Sequence, residues 1–297
     1  MKKILYLLIL ILSAFHINIK AQEVIEIAPL FEYPVAPDEM ESLMDRCNYI
    51  VKHFWDNFNF KEKQPVDQYA LNEAFKVYSS TFPYATKKTV DESLDNVIQK
   101  MSGNPLIQMQ MLKAAEVNLY GPKASFWSDE VYLKFLDTVL KNKKITEARK
   151  VKYAKQASAL KDSYPGQSAP TFKFTDKNGE IKNYFPMTTP TLLIFGNPDD
   201  TDWRLERLKM DSNFKLEDAL SKGKINILFI LPNQIENWQG LISNYNNHWT
   251  TGQSEEATLH YDTRENPSIY IVGSDGKIVN KFMTPQESVT KVLEMIN

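Results

Sequence analysis

Asn266-Pro267-Ser268-Ile269-Tyr270-Ile271-Val272-Gly273-Ser274-Asp275-Gly276-Lys277-Ile278-Val279-Asn280-Lys281-Phe282 is the most diagnostic stretch of the chain. Two apolar runs, Ser268 to Val272 and Lys277 to Phe282, flank a Gly-Ser-Asp-Gly turn and predict an antiparallel hairpin. Pro267 cannot donate to a strand ladder, which is tolerable at the first residue of a strand. The hairpin is followed by Thr284-Pro285-Gln286-Glu287, a capping box with proline at the first helical position, so a helix closes the chain.

Reading backwards, Thr191 to Phe195 is a buried-type strand that runs into the polar turn Gly196-Asn197-Pro198-Asp199-Asp200 and then a helix from about Asp202 to Lys222. A strand from Ile225 to Leu231 and a helix from about Ile235 to Asn247 come next. Upstream, Thr171 to Thr175 and Ile181 to Phe185 flank the hairpin signal Asp176-Lys177-Asn178-Gly179. Strands and helices that alternate in this way, with near-continuous apolar strands, imply an α/β fold with a central sheet and helices on both faces.

Before this region the rhythm changes. Tyr164-Pro165-Gly166-Gln167-Ser168-Ala169-Pro170 has the composition of a boundary. From Asp38 to about Ser163 the apolar residues recur at helical spacing, which predicts an all-α bundle. The first helix should bury Met40, Leu43, Met44, Cys47, Ile50, Val51 and Phe54, with Asp38 as its cap. Further helices are expected over Val66 to Phe82, Thr89 to Met101, Pro105 to Tyr120, Asp129 to Lys141 and Thr146 to Asp162. Cys47, the only cysteine in the chain, falls on the core stripe and reads as a small buried hydrophobe. Phe54, Trp55, Phe58 and Phe60 read as core or an interdomain contact rather than a ligand platform.

Residues 166–297 resemble a thioredoxin-like domain of the extracytoplasmic thiol-oxidoreductase and alkyl-hydroperoxide-reductase type. The resemblance rests on Gly166-Gln167-Ser168-Ala169-Pro170-Thr171-Phe172, the Asp176 to Gly179 turn, the strand through Phe195, and Asn266 to Tyr270 leading into Asp275-Gly276-Lys277. Residues 31–163 are similar to a helical domain of unknown function found before such domains in secreted bacterial proteins. That similarity is carried by Phe54-Trp55-Asp56-Asn57-Phe58-Asn59-Phe60 and Phe126-Trp127-Ser128-Asp129-Glu130-Val131-Tyr132. The resemblance implies that Pro267 is the family's cis proline beside the active turn, and that the two active-site cysteines would fall near Asp200 and Trp203.

Here the chain departs from the family. The degenerate turn reads Asp200-Thr201-Asp202-Trp203, and no cysteine follows residue 47. Disulfide exchange is attack by a thiolate on sulfur, so a dithiol oxidoreductase and a one-cysteine peroxidase both lack their reactive group. Asp199, Asp200 and Asp202 form the one dense carboxylate cluster, and helix capping accounts for it without a metal. His53, His248 and His260 lack the spacing of a local metal site, and there is no G-x-S-x-G elbow, P-loop or dinucleotide fingerprint. No cofactor and no catalytic residue is assigned. Trp203, Asn266 and Pro267 form a candidate groove in which an extended peptide adds to the backbone beside the proline. Trp203 either covers that groove or fills the space left by the missing disulfide.

Met1-Lys2-Lys3, the apolar run Ile4 to Phe15 and a small residue before Gln22 match a secretory signal cleaved after Ala21. About a dozen apolar residues are too few to span a bilayer, so no membrane span is expected after its removal. Loss of Lys2, Lys3 and Lys20 takes 35 basic residues to 32 against 37 acidic, a formal charge of −5 that argues against nucleic acid as a partner. The sequence therefore points to a periplasmic or secreted, redox-inactive thioredoxin-like module that binds an envelope protein or peptide. The competing readings are an enzyme that borrows Cys47 or uses the aspartates, and ligand binding by the helical domain.

Overall fold

A computed structural model describes residues 28–186 and 188–296; the expected signal segment 1–21 lies outside the described residues. The first half is helical: α1 (Leu43–His53), α2 (Gln68–Ser80), α3 (Lys87–Met101), α4 (Pro105–Leu119), α5 (Asp129–Lys141) and α6 (Glu147–Asp162). α4 is the central element, burying Ile107, Met111, Leu112, Ala114, Ala115 and Leu119 against α2 and α5. It starts where the sequence demands, with Pro105 at its first position and the Asn104 side chain accepting from the N–H groups of Leu106 and Ile107 at 3.2 and 3.4 Å.

α1 corrects two expectations. Its cap is Ser42, which accepts from the Asp45 N–H at 3.3 Å, rather than Asp38. The helix therefore begins later, leaving Leu43 and Met44 exposed while Cys47 and Val51 are buried. Phe54, Trp55, Phe58 and Phe60 follow α1 into the core, where their rings meet one another and Tyr78. The Tyr78 hydroxyl is hydrogen-bonded to Ser93 Oγ at 2.8 Å, and Ser93 donates to the Val51 carbonyl, so this polar pair is satisfied inside the core.

The second half contains β1 (Phe172–Asp176), β2 (Ile181–Tyr184), β3 (Thr191–Phe195), α7 (Thr201–Asp211), α8 (Phe214–Ser221), β4 (Asn226–Leu231), α9 (Trp238–Leu241), β5 (Thr250–Gln253), β6 (Ser268–Val272), β7 (Ile278–Lys281) and α10 (Pro285–Glu294). The strands form one sheet in the order β2-β1-β5-β4-β3-β6-β7, parallel across β3/β4 and β4/β5 and antiparallel elsewhere. β3 lies inside the sheet, between the central strand β4 and β6, with Ile194 opposite both Phe229 and Ile269. Its alternate residues feed two cores. Leu192 and Ile194 pack beneath α7, α8 and α10, whereas Leu193 and Phe195 face Phe172, Tyr261 and Tyr270. That second face is closed by a 3₁₀ turn at Glu256–Leu259 and by the end of α6.

The predicted β6–β7 hairpin is present, with Gly276 at φ +76° and the Gly273 N–H donating to the Lys277 carbonyl at 2.8 Å. The outer edge of β7 is sealed by the segment between α6 and β1: Gly166 and Ile278 donate to the carbonyls of Ile278 and Gln167. Two expected helices differ. The long helix after β3 breaks at Ser212, because Asn213 caps a new helix by accepting from Lys215 and Leu216 at 3.1 Å. The helix expected to Asn247 shrinks to the four residues of α9, and β5 follows it unforeseen. Thr250-Thr251-Gly252-Gln253 lacks an apolar run, and Gly252 lies so close to Phe174 that a Cβ would come within 2.4 Å of the ring.

The capping box of α10 is complete, with Thr284 and Glu287 exchanging side-chain to backbone bonds at 3.3 and 3.0 Å. Thr284→Ala should lower stability by about 1 kcal/mol, read from the urea midpoint at unchanged slope. A shift under a few tenths of that size would show that α10 is held by its buried face alone.

Candidate functional site

β3 and β6 are antiparallel neighbours, so the turn that leaves β3 and the turn that enters β6 meet at one end of the sheet. The Asn266–Pro267 bond is cis, as the resemblance implied. Asn266 Oδ1 accepts the Asn197 N–H at 2.9 Å, which ties the two turns together. Gly196 makes room for this contact, since a Cβ there would sit 3.2 Å from the Phe229 ring and 3.6 Å from Asn266 Oδ1. Asn197 then orders the rest of the turn. Its side chain accepts the Asp199 N–H at 3.0 Å and its carbonyl accepts the Asp200 N–H at 3.1 Å.

Asp200 is the N-cap of α7, its carboxylate accepting the Trp203 N–H at 2.8 Å. Thr201 and Asp202 are exposed on the first turn, where a carboxylate meets the positive end of the helix dipole. Among the described residues no group of three His, Cys, Asp or Glu side chains converges to hold a metal ion.

Trp203 does not line the surface. It is fully buried, its indole parallel to the Phe229 ring at 5.5 Å, with Nε1 donating to the Tyr245 hydroxyl at 2.9 Å. Burial pushes the Tyr245 phenol up to about 12, partly offset by the bond from Trp203. Of the three groove candidates, the structure brings Asn266 and Pro267 to the turn and sends Trp203 into the core beneath it. The reason is volume, because the inner face of α7 looks onto β4 and only a large apolar group fills that space. Cys47 is buried in α1, in the other half of the chain.

The proline turn has a second set of neighbours that the sequence did not reveal. Two residues before Asn266, the Arg264 guanidinium enters a cage of rings, with its Cζ 4.3 Å from the Tyr120 centroid, 4.6 Å from Trp127 and 5.2 Å from Phe282. It is paired with Asp129 and lies 3.1 Å from Asp262 Oδ2. Lys281 joins Asp129 at 2.6 Å, and the Tyr120 hydroxyl donates to Asp262 Oδ1 at 3.2 Å. Tyr120, Trp127 and Asp129 belong to the helical half; Asp262, Arg264, Lys281 and Phe282 belong to the half that contains the sheet. Residues 135 or more positions apart cannot be paired from spacing, so this seam had no sequence signal beyond the Phe126-Trp127-Ser128-Asp129 segment itself.

Burial raises the Asp262 carboxyl above the ordinary range, and Arg264 and Lys281 reverse this only in part. Burial acts in the same direction on Asp129, but there Lys281 and Arg264 prevail and hold it below the ordinary range. The two carboxyls therefore respond to acid in opposite senses.

A seven-stranded mixed sheet of this order with a cis proline beside a helix-capping turn defines a thioredoxin-like fold, here without a cysteine pair. Residues 16–163, which take in the helical half, match the model of the family described as a domain of unknown function (DUF5106). The chain is similar in fold to a thioredoxin-like protein from Bacteroides caccae, at TM-score 0.65 and 20% identity over 90% of this chain and 99% of that one. It also matches the thioredoxin domain of a thiol-disulfide oxidoreductase from Bacteroides vulgatus, at TM-score 0.38 and 19% identity over 45% of this chain and 99% of that one. No curated protein matches the chain.

Trp203→Ala should cost about 3–5 kcal/mol, the range for removing a buried large aromatic, measured by urea unfolding. A loss below 1 kcal/mol would mean that the indole is not part of the core. For the seam, Asp129 contributes stability that is complete above the unfolded carboxylate range near pH 4 and lost as pH falls through its lowered folded value. Asp262 adds stability as pH falls from neutral through its raised folded value. Asp129→Asn should lower stability at neutral pH by about 3–5 kcal/mol and abolish the acid-side loss. Asp262→Asn should flatten the rise between neutral pH and about pH 4. Urea midpoints from pH 3 to 8 measure both; profiles parallel to the parent would refute the assignment.

Proposed function

We propose that this chain is a redox-inactive, extracytoplasmic thioredoxin-like protein that binds an extended segment of an envelope protein or peptide at the Asn266–Pro267 turn. The observation that carries the proposal is the main chain of Asn266, exposed beside the turn after β3, with its N–H and carbonyl lacking a partner among the described residues. Unpaired backbone at a sheet end accepts an added strand, and main-chain bonds of that kind need no thiol. The N-terminal pattern from Lys2 to Ala21 supports export. Thiol exchange through Cys47 is disfavoured, because that residue is only 6% exposed and exchange requires an accessible thiolate.

Trp203→Ala is unsuitable as a groove variant, since the indole is core. In-cell crosslinking and affinity capture of the full chain, run beside Pro267→Ala and the exposed-turn variant Asp199→Arg, test the proposal. A defined partner should be captured by the parent and weakened about tenfold or more, ~1.4 kcal/mol, by both variants. A partner retained undiminished by both would transfer recognition to the helical half and end this reading.

A further inference from the structure

We infer that the helical half is a positioning element for the proline turn, acting through Arg264. The chain of contacts is continuous. Trp127 is anchored in its own loop by Nε1 donating to the Gly121 carbonyl at 3.1 Å, and its ring lies against both the Arg264 guanidinium and Phe282. Arg264 also donates to the Tyr120 carbonyl at 3.4 Å, and its side chain is only 5% exposed. Its backbone N–H is held by Asp262 Oδ1 at 3.3 Å. The same segment is fixed from α6, where Ser163 Oγ is hydrogen-bonded to the Tyr270 hydroxyl at 3.1 Å and accepts the Asp262 N–H at 3.4 Å. Two residues further on, Asn266 Oδ1 holds Asn197, so what sets Arg264 also sets the turn after β3.

β6 also holds residues 262–266, with the Tyr270 hydroxyl donating to the Asp262 carbonyl and Ser268 Oγ to the Glu265 carbonyl, both at 2.7 Å, but neither bond reaches the Arg264 side chain. The segment belongs to no strand, and two groups that immobilise it, Asp129 and Ser163, lie outside the sheet region. A planar guanidinium held by three rings and a carboxylate has one geometry, in contrast to the tether a flexible lysine would supply. Trp127, Asp129 and Arg264 are therefore positioning residues. The positioning stands whatever the turn binds; its consequence, that helical-domain contacts regulate the groove, rests on the function proposed above.

Residue-resolved amide exchange of the full chain tests the inference without any partner. Trp127→Leu alters only the helical domain and leaves every seam charge in place; Arg264→Lys keeps the charge and loses the stacking. Both should speed exchange of the Arg264 and Asn197 amides about tenfold or more while the β3 and β4 amides, such as Ile194 and Phe229, stay unchanged. Loosening confined to residues 120–128 would overturn the inference, because the turn would then be held by the sheet alone. Equal acceleration of every amide would overturn it too, since the seam would be a contributor to global stability only. Capture of a partner plays no part in this readout, so the groove reading and the positioning reading fail separately.

Discussion

A guanidinium removed from water must be matched on every side, and in this protein that requirement decides how its two halves meet. Arg264 meets it with two carboxylates, Asp129 and Asp262, and three aromatic rings, Tyr120, Trp127 and Phe282, leaving only its Nε buried without a hydrogen-bond partner among the described residues. Charge alone would leave many orientations open; the rings leave one. Phe282 pays a visible cost for its part, adopting φ +60°, which is unfavourable for a bulky residue by about 1–3 kcal/mol. The ring completes the cage from that position and also packs against Tyr270, which links the seam to the centre of β6.

Burial of this kind is not an efficient source of stability. Desolvating two cations and two carboxylates cancels much of what their attraction returns, and an apolar seam of the same volume would hold the halves at least as firmly. What the ionic seam adds is uniqueness of arrangement. Apolar surfaces slide and repack, whereas Asp129 must face Arg264 and Lys281 together, and Asp262 must receive both Tyr120 and Arg264. The opposite shifts of the two carboxyls follow from their positions. Asp129 has a cation close to each oxygen, while Asp262 is the more deeply buried and has Lys281 only at 4.0 Å.

The fold was legible wherever a local rule was strong. β3 and β6 were read residue for residue because both faces of each are buried and their apolar runs are unbroken. Asn104-Pro105 and the Thr284 box were read because capping uses a fixed spacing. Legibility failed where tertiary contacts replaced local preference. Asn213 interrupts an otherwise continuous helical pattern, and β5 is a strand because Thr250 to Gln253 pair with β4, not because of their composition. At the site, Pro267 and the helix-capping role of Asp200 were visible; the direction of Trp203 was not, since the third residue of a helix can face either solvent or sheet and only the position of Phe229 decides.

The turn after β3 shows how this end of a thioredoxin-like fold is held without sulfur. The N-terminus of α7 supplies free N–H groups and a positive dipole end, which lower the energy of any anion placed there, thiolate or carboxylate. Asp200 occupies that position and consumes the dipole as a cap, so the turn is stabilised by the interaction that a reactive cysteine would leave available for chemistry. Trp203 does the equivalent for volume, filling the space under the helix and hydrogen-bonding Tyr245. With charge and volume both committed to stability, the groups still directed outward are the exposed carboxylates of Asp199 and Asp202 and the main chain beside Pro267. Any selectivity at this end of the sheet has to come from those carboxylates, shape and hydrogen bonding, and the shape depends on Asn266, which accepts from Asn197 and lies two residues after Arg264, whose guanidinium is anchored in the helical half.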